Sequence, residues 1–237
     1  MKIPVITGLI ERRILVNYAV DPDVVSAILP APFKPKLVNG KAIAGICLIR
    51  LSQVRPKGLP AFLGAGSENG SHRIAVEWDE NGKTKEGVYI PRRDTSSGFN
   101  SLVGGRVFPG KHFHAKFDVK EDADNYHVAF KSSDGTLISV DAKLANTLNK
   151  DSIFKDLSMA SAFFKAGSTG YSPNGNCFEG LLLNTYTWEV QPLEVSNVQS
   201  SFFEDEAVFP KGSVCFDNAL LMTNIQHDWS SLPNKFS

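Results

Sequence analysis

The sequence predicts a mainly β fold, organised as one mostly antiparallel domain over residues 1–237 with one or two short packed helices. Short segments rich in β-branched and aromatic residues recur along the chain, and turn residues separate them. Residues 79–82 (DENG) form a hairpin turn of this kind, because their glycine supplies the positive φ that such turns need. No repeat, low-complexity run or linker divides the chain.

The predicted strands follow one another along most of the chain. In the first half the predicted strands are RRILVNYAV (12–20), KAIAGICLIRLSQV (41–54), HRIAVEW (72–78) and EGVYIPR (86–92). After them come GRVFPG (105–110), HFHAKFDVK (112–120), YHVAFKS (126–132) and TLISVDAKLA (136–145). The last strands are predicted in CFEGLLLNTYTWEVQPLEV (177–195) and SVCFDNALLMTNIQHDW (213–229).

Two helices interrupt the strands. Asp21 is a helix-capping residue, Pro22 suits the first helical position, and Pro30 stops the short helix that follows. The second helix is predicted over residues 152–167, where Gly167 can end it. Its apolar stripe consists of Ile153, Leu157, Ala160 and Phe164.

Composition and charge narrow the functional classes. Lys+Arg and Asp+Glu number 25 each, so no global positive field favours nucleic acid or an anionic membrane. The longest apolar run, Ala42 to Ile49, is too short to span a bilayer, and the N-terminus lacks a signal-peptide pattern. Three cysteines without CxxC spacing favour a reducing compartment. We expect a cytoplasmic protein that binds neither nucleic acid nor membrane; a homo-oligomer is left open.

Residues 87–117 gather an unusual number of cations around one strand connection. They include Arg92, Arg93, Arg106 and Lys111. A solvated hairpin with charged edges is one interpretation, and an anion-binding site is the other. Adjacent strand residues point to opposite faces, so at most one of Arg92 and Arg93 enters such a site.

Several motifs resemble a known superfamily. The opening NYAVDPDVVSAILPAPFKPKLVNGKAIAGICLIRL resembles the start of acetoacetate-decarboxylase-like proteins. The middle, from SENGSHRIAVEW through GVYIPRRDTSS to GGRVFPGKHFHAKF, is more similar to a large bacterial family of unknown function in the same superfamily. YSPNGNCFEGLLLNTYTW and FPKGSVCFDNALLMTNIQHDW match its closing strands. The resemblance implies one cone-like antiparallel β-barrel whose interior holds the site.

The resemblance also identifies a departure from the family's chemistry. In acetoacetate decarboxylase itself, a lysine kept neutral by burial and a neighbouring ammonium forms a Schiff base with a β-keto acid. The family motif is Gly-Arg, then a proline followed by two adjacent lysines. Here Gly105-Arg106 and Pro109 match, but Gly110 takes the nucleophile's position and only the neighbouring position carries an amine, Lys111.

The predicted site residues follow from these motifs. Arg106, Arg73 and Arg92 are predicted to bind the substrate's carboxylate, while Lys111 and Glu68 are predicted to act as catalytic groups that transfer protons. Each has a structural alternative: an ion pair for Arg106, an exposed strand position for Arg73, a solvated strand end for Lys111. Glu68 lies in GAGSENGS, where a turn carboxylate is the alternative.

A metal site is not predicted, and neither is any cofactor. His112 and His114 share one strand face and could supply two ligands, but no other histidine has diagnostic spacing for a third.

Two classes of function remain open. The first is a lyase-like or related enzyme acting on a small organic (keto) acid, without the family's Schiff-base lysine in its expected position. The second is a non-catalytic barrel that binds such an acid for sensing, storage or delivery.

Overall fold

The computed structural model describes residues 4–98 and 110–236, and strands dominate them. The strands are β1 (Ile6–Val20), β2 (Lys34–Pro35), β3 (Leu37–Val38), β4 (Lys41–Pro56), β5 (Ala65–Glu80), β6 (Lys83–Thr95), β7 (His112–Asp122), β8 (Asn125–Ser132), β9 (Leu137–Leu144), β10 (Thr169–Asn174), β11 (Cys177–Thr185), β12 (Gln191–Ser200) and β13 (Val214–Phe236). The described helices are α1 (Pro22–Ile28) and α2 (Leu157–Ala166), with a 3-10 turn at Ala61–Leu63. The predicted mainly β class is confirmed.

All strands belong to one 13-stranded sheet. Most neighbours are antiparallel, but β6 pairs in parallel with both β7 and β10. The two halves of residues 87–117 are therefore neighbours, yet they do not form the hairpin that one interpretation of the sequence proposed. Parallel neighbours need a long crossover, which the chain between Thr95 and His112 provides.

Strand pairing forms a closed circuit within this sheet. β1 pairs with β4, β4 with β5, and β5 with β6. β6 then pairs with β10, β10 with β11, β11 with β13, and β13 returns to β1. This order brings residues from the two ends of the chain around one interior space.

The wall of this circuit buries apolar side chains on both faces. On β1, Ile14 and Val16 belong to the largest apolar cluster, whereas Leu15 between them packs with Phe164 of α2 in a second cluster. This alternation follows from the two-residue period of a strand. Helix α2 therefore covers the second face, where the functional site lies.

Several boundaries differ from the sequence prediction, including those of β1, β5, β13 and α2. The strand predicted at residues 105–110 lies outside the described residues except for Gly110. Helix α2 begins at Leu157 rather than Ser152, because the Asp156 side chain caps it by accepting from the Met159 N–H at 2.8 Å. The segment GAGSENGS, predicted as a loop, forms the start of β5 because it pairs with β4. Glu68 is thus a strand residue. Among the described residues, no helix is long and apolar enough to cross a bilayer.

The packing of α2 yields a stability prediction. Ala160 is 0% exposed and Met159 is 49% exposed, although the two are adjacent in the same helical turn. We expect Ala160→Asp to lower the free energy of unfolding by about 2–5 kcal/mol, because it places a carboxylate in an apolar cluster. Met159→Asp, the matched control, should change it by less than about 0.5 kcal/mol. Urea denaturation checks both, and equal effects would show that α2 is not packed on the wall.

Candidate functional site

The circuit and helix α2 line a partly open cavity of about 140 Å³. All seven strands of the circuit contribute lining residues. Much of the wall is apolar, including Leu15, Ile49, Leu51, Leu181, Leu183 and Phe164. A space of about this size accommodates a compact molecule such as benzene. The cavity therefore suits a small ligand with few atoms.

Three arginines face this mostly apolar space: Arg13, Arg73 and Arg93. Among residues 4–98 and 110–236, none of the three forms a salt bridge, and each has one buried nitrogen without a hydrogen-bond acceptor. Residues 99–109 (FNSLVGGRVFP) contain no aspartate or glutamate that could supply a side-chain carboxylate. Asp94 supplies the one carboxylate on the described part of the wall, and it accepts from Arg92 at 2.7 and 2.9 Å and from Ser132. The three cavity arginines therefore have no carboxylate partner of their own among the described residues.

Burial changes the acid–base behaviour of two of these groups. It lowers the pKa of Arg73 to about 10 and that of Arg93 to about 10, because removal from water disfavours the charged form. Both guanidinium groups remain charged at neutral pH. A buried charge without a partner is costly, so an anion entering the cavity would be bound favourably.

Arg73 is held by a chain of buried amides. Its Nη2 donates to the Oδ1 of Asn17, the Nδ2 of Asn17 donates to the Oδ1 of Asn218 at 2.7 Å, and the Nδ2 of Asn218 donates to Asp217. The guanidinium carbon also lies 5.0 Å from the ring centre of Phe164. With Arg73 only 4% exposed, these contacts fix the guanidinium while its Nε remains without an acceptor.

Arg93, on the neighbouring strand β6, is held by a hydroxyl group. Its Nε donates to the Oγ of Ser172 at 2.9 Å, and its Nη2 has no acceptor among the described residues. Ser172 also explains the glycine in the nucleophile's position. Gly110 has a φ of +77°, and a Cβ there would lie 2.5 Å from the Cβ of Ser172. A lysine at this position would need both a strained backbone and a displaced serine.

The sequence matches one protein family over most of its length. The model of the DUF2071 family, described as uncharacterized conserved proteins, matches residues 10–217. The chain belongs to the DUF2071 family. No curated protein matches this sequence.

Solved structures show the same fold at low identity. Acetoacetate decarboxylase from Legionella pneumophila has a TM-score of 0.62 and 12% identity, covering 98% of this chain and 86% of that chain. An acetoacetate decarboxylase-like enzyme from Sphingomonas wittichii RW1 has a TM-score of 0.59 and 11% identity, with coverages of 100% and 94%. The enduracididine biosynthesis enzyme MppR, in complex with pyruvate, has a TM-score of 0.60 and 10% identity, with coverages of 100% and 91%. The superfamily resemblance is confirmed, and this DUF2071 protein has the acetoacetate-decarboxylase-like fold.

Lysines are poorly placed for imine chemistry in this DUF2071 cavity. Lys111 is exposed, and its Nζ lies 4.7 Å from the ring centre of Phe113 rather than on the cavity wall. Of the lysines in the described part of the chain, Lys36 alone lines the cavity. Its ammonium is paired with Glu86 and lies 4.5 Å from the ring centre of Phe163. Neither amine resembles the neutral, buried nucleophile that a Schiff base requires.

Glu68 lies in an ion-pair network rather than on the cavity wall. One carboxylate oxygen accepts from Arg12 at 2.6 Å and the other from Arg50 at 2.5 Å. Glu121 bridges the same two arginines at 2.5 and 3.1 Å. Since Arg12 is only 2% exposed, these two carboxylates neutralise a buried charge. The position of Glu68 is therefore that of a structural partner.

The two neighbouring arginines of β6 separate as strand alternation predicts, but Arg93 and not Arg92 lines the cavity. Arg92 donates to Asp94 at 2.7 and 2.9 Å and to Asp134 at 2.7 Å. These hydrogen bonds from Arg92 lower the pKa of Asp134 to about 2. Arg92 is already neutralised. Arg106, the third predicted carboxylate ligand, lies outside the described residues.

Sequence reasoning did not select Arg13 and Arg93, although both stand beside an arginine on the same strand. The two side chains of such an Arg-Arg pair face opposite sides of the wall, so one of them faces the cavity side. Adjacent arginines in a predicted strand are therefore the signal that could have identified them. His112 also lines the cavity, and burial, with a smaller effect of Arg93, lowers its pKa to about 4. It is neutral at pH 7. In the described residues, no group of three or more His, Cys, Asp or Glu side chains could hold a metal ion.

The ion-pair network predicts the effect of removing the Glu68 charge. Glu68→Gln should lower the free energy of unfolding by about 1–3 kcal/mol, because Arg12 is left with a single carboxylate partner. Glu194→Gln breaks an exposed pair with Lys143 and should change it by less than about 0.5 kcal/mol. Chemical denaturation of both variants provides the comparison. Unaltered stability of Glu68→Gln would remove the structural role assigned to this carboxylate.

Proposed function

We propose that this protein binds a small organic carboxylate, of the keto-acid class, in the interior of a barrel built by the closed strand circuit. The observation that carries the proposal is the set of buried guanidinium groups that lack a carboxylate partner. Arg73 and Arg93 are the proposed carboxylate ligands, and Arg13 contributes further positive charge. Guanidinium groups suit this role because their planar donors match the two oxygens of a carboxylate.

The shape of the cavity limits the ligand. A volume of about 140 Å³ and an apolar lining favour a monoanion with a short apolar or carbonyl-bearing tail. His112 is neutral at pH 7, so it adds no further positive charge to the cavity. MppR, whose fold is similar, has been solved with pyruvate, which supports pyruvate as the first ligand to test.

Binding without imine chemistry is the activity that we favour. The arguments are the absence of room for a side chain at Gly110 and the ion pair that occupies the ammonium of Lys36. A lyase-like reaction on the bound acid is the second candidate, and the acetoacetate decarboxylase-like enzymes with this fold support it. Lys111 and Glu68 take no part in the proposed binding, whereas Arg106 stays a predicted ligand.

An arginine on the cavity wall and one outside it provide a matched test of ligand binding. Arg93→Gln should weaken pyruvate binding by about 10-fold or more, because it removes a charge-assisted hydrogen bond inside the cavity. Arg50→Gln should change the affinity by less than about twofold, since Arg50 does not line the cavity and its partners Glu68 and Glu121 both retain Arg12. Isothermal titration calorimetry with both variants and the unmodified protein measures the difference.

A reduction of affinity by Arg50→Gln but not by Arg93→Gln would place the ligand outside the cavity. Circular dichroism spectra and melting temperatures of the two variants serve as controls for folding.

Borohydride trapping distinguishes binding from Schiff-base decarboxylation. After incubation with acetoacetate and sodium borohydride, we expect no covalent mass increase on any lysine, because no described cavity amine is free of an ion pair. Acetoacetate decarboxylase treated in parallel is the positive control. A stable adduct that peptide mapping assigns to Lys36 or Lys111 would instead support the decarboxylase assignment.

A further inference from the structure

Cys47 lies on the wall of the cavity in the middle of β4. Its strand neighbours are Leu15 on β1 and Ser71 on β5, and both also line the cavity. The residue is 7% exposed and forms no disulfide. Cys47 itself lines the cavity, so the space that this thiol faces is the cavity.

The surroundings of Cys47 differ from those of a cysteine that only fills space in a core. It shares the cavity with Arg73 and Arg93, which each have a buried nitrogen without an acceptor. Ser71 of β5 pairs with Cys47 on one side and with Arg93 of β6 on the other, and Arg73 follows two residues later on the same face of β5. The thiol and both guanidinium groups therefore belong to one part of the cavity wall. Electropositive surroundings of this kind are typical of reactive cysteines.

The geometry also places the thiol beside the proposed carboxylate ligands. If Arg73 and Arg93 hold the carboxylate of an acid in a cavity of about 140 Å³, the other atoms of that acid lie within a few bond lengths of the wall, to which Cys47 belongs. The other nucleophile types on the described wall are less suited: the amine of Lys36 is paired with Glu86, the carboxylate of Asp94 accepts from Arg92, and hydroxyl groups are weak nucleophiles without a base. A neutral imidazole, as in His112, is a weaker nucleophile toward carbonyl carbon than a thiolate.

We propose that Cys47 is the nucleophile of this cavity and reversibly captures the carbonyl carbon of a bound keto acid. This inference rests on the proposed function, since Arg73 and Arg93 must first bind the carboxylate.

The capture is an addition that needs no further reactant. Cys47 Sγ forms a bond to the carbonyl carbon, and the π electrons of the C=O bond move to oxygen. The proton lost from the thiol ends on that oxygen, which gives a thiohemiketal. The reverse sequence releases the keto acid unchanged, so the step is compatible with binding, transport or sensing as well as with catalysis.

Charged and neutral alkylating reagents test the reactivity. Iodoacetate and iodoacetamide both transfer a carbon to sulfur with loss of iodide, but only iodoacetate carries the carboxylate that the arginines would bind. We expect the ratio of iodoacetate to iodoacetamide labelling at Cys47 to exceed the ratio at the exposed Cys215 by about 10-fold or more. Peptide mass spectrometry measures both sites in the same sample, and pyruvate should slow labelling at Cys47 alone.

Two variants test whether the preference of Cys47 for iodoacetate arises from the arginines of the cavity. Arg93→Gln should reduce the preference of Cys47 for iodoacetate, whereas Arg50→Gln should retain it, because Arg50 does not line the cavity. Each protein is first checked for the melting temperature and the labelling of Cys215, so that loss of folding is recognised. A ratio at Cys47 equal to or below that at Cys215 in the unmodified protein would overturn the inference.

Carbon-13 NMR with pyruvate labelled at C2 tests the covalent step itself. We expect a protein-bound signal of a tetrahedral carbon attached to sulfur, and we expect Cys47→Ser to abolish it while pyruvate still binds in ligand-observed saturation-transfer spectra. Pyruvate binding to the unmodified protein without the tetrahedral signal would overturn the role of Cys47 and leave the proposed function intact. Absence of pyruvate binding altogether would overturn the proposed function.

Discussion

The cost of burying a guanidinium group without a carboxylate is the constraint on which the candidate site of this protein depends. Arg73 and Arg93 carry that cost, because burial lowers the pKa of each and the described residues offer no salt bridge to either. Most buried charges in proteins are paired, so a pair of exceptions in one cavity indicates a place for an external anion. The remaining features of the site serve to hold these two groups in position.

The chain holds Arg73 without neutralising it. Asn17 accepts from its guanidinium, and Asn218 connects Asn17 to the buried carboxylate of Asp217. Two neutral amides thus separate the positive charge from the nearest negative charge in this chain of contacts. A direct Arg–Asp pair would have satisfied Arg73 and left no charge for a ligand. The amides fix its orientation and preserve its affinity for anions.

Strand alternation divides four arginines between two tasks. Arg12 and Arg92 face networks of carboxylates, where they stabilise the fold. Arg13 and Arg93, each one position further along, face the cavity. A single-residue offset on β1 and on β6 therefore separates the charges paired with carboxylates from the charges that we propose for ligand binding.

The sequence predicted the mainly β class and the superfamily because both depend on local patterns and short motifs. It also placed Gly110 in the nucleophile's position, and the positive φ there with Ser172 alongside gives a physical reason for the glycine. Local sequence patterns could not predict which distant strands pair with each other. The parallel neighbours β6 and β7, and the ion pairs that surround Glu68, depend on segments far apart in the chain.

The choice between Arg92 and Arg93 could not be made from sequence, since alternation separates them without indicating which face holds the cavity. Cys47 was hidden for a similar reason. Within the apolar run of β4 it is indistinguishable from a core residue until the arginines of β5 and β6 are placed beside it.

A crystal structure of the complex with pyruvate tests the central claim most directly. We expect the carboxylate oxygens of pyruvate to lie within hydrogen-bond distance of both Arg73 and Arg93, with the contact between Arg73 and Asn17 retained. Pyruvate at another site, with both guanidinium groups bound to acceptors of this chain, would contradict the account.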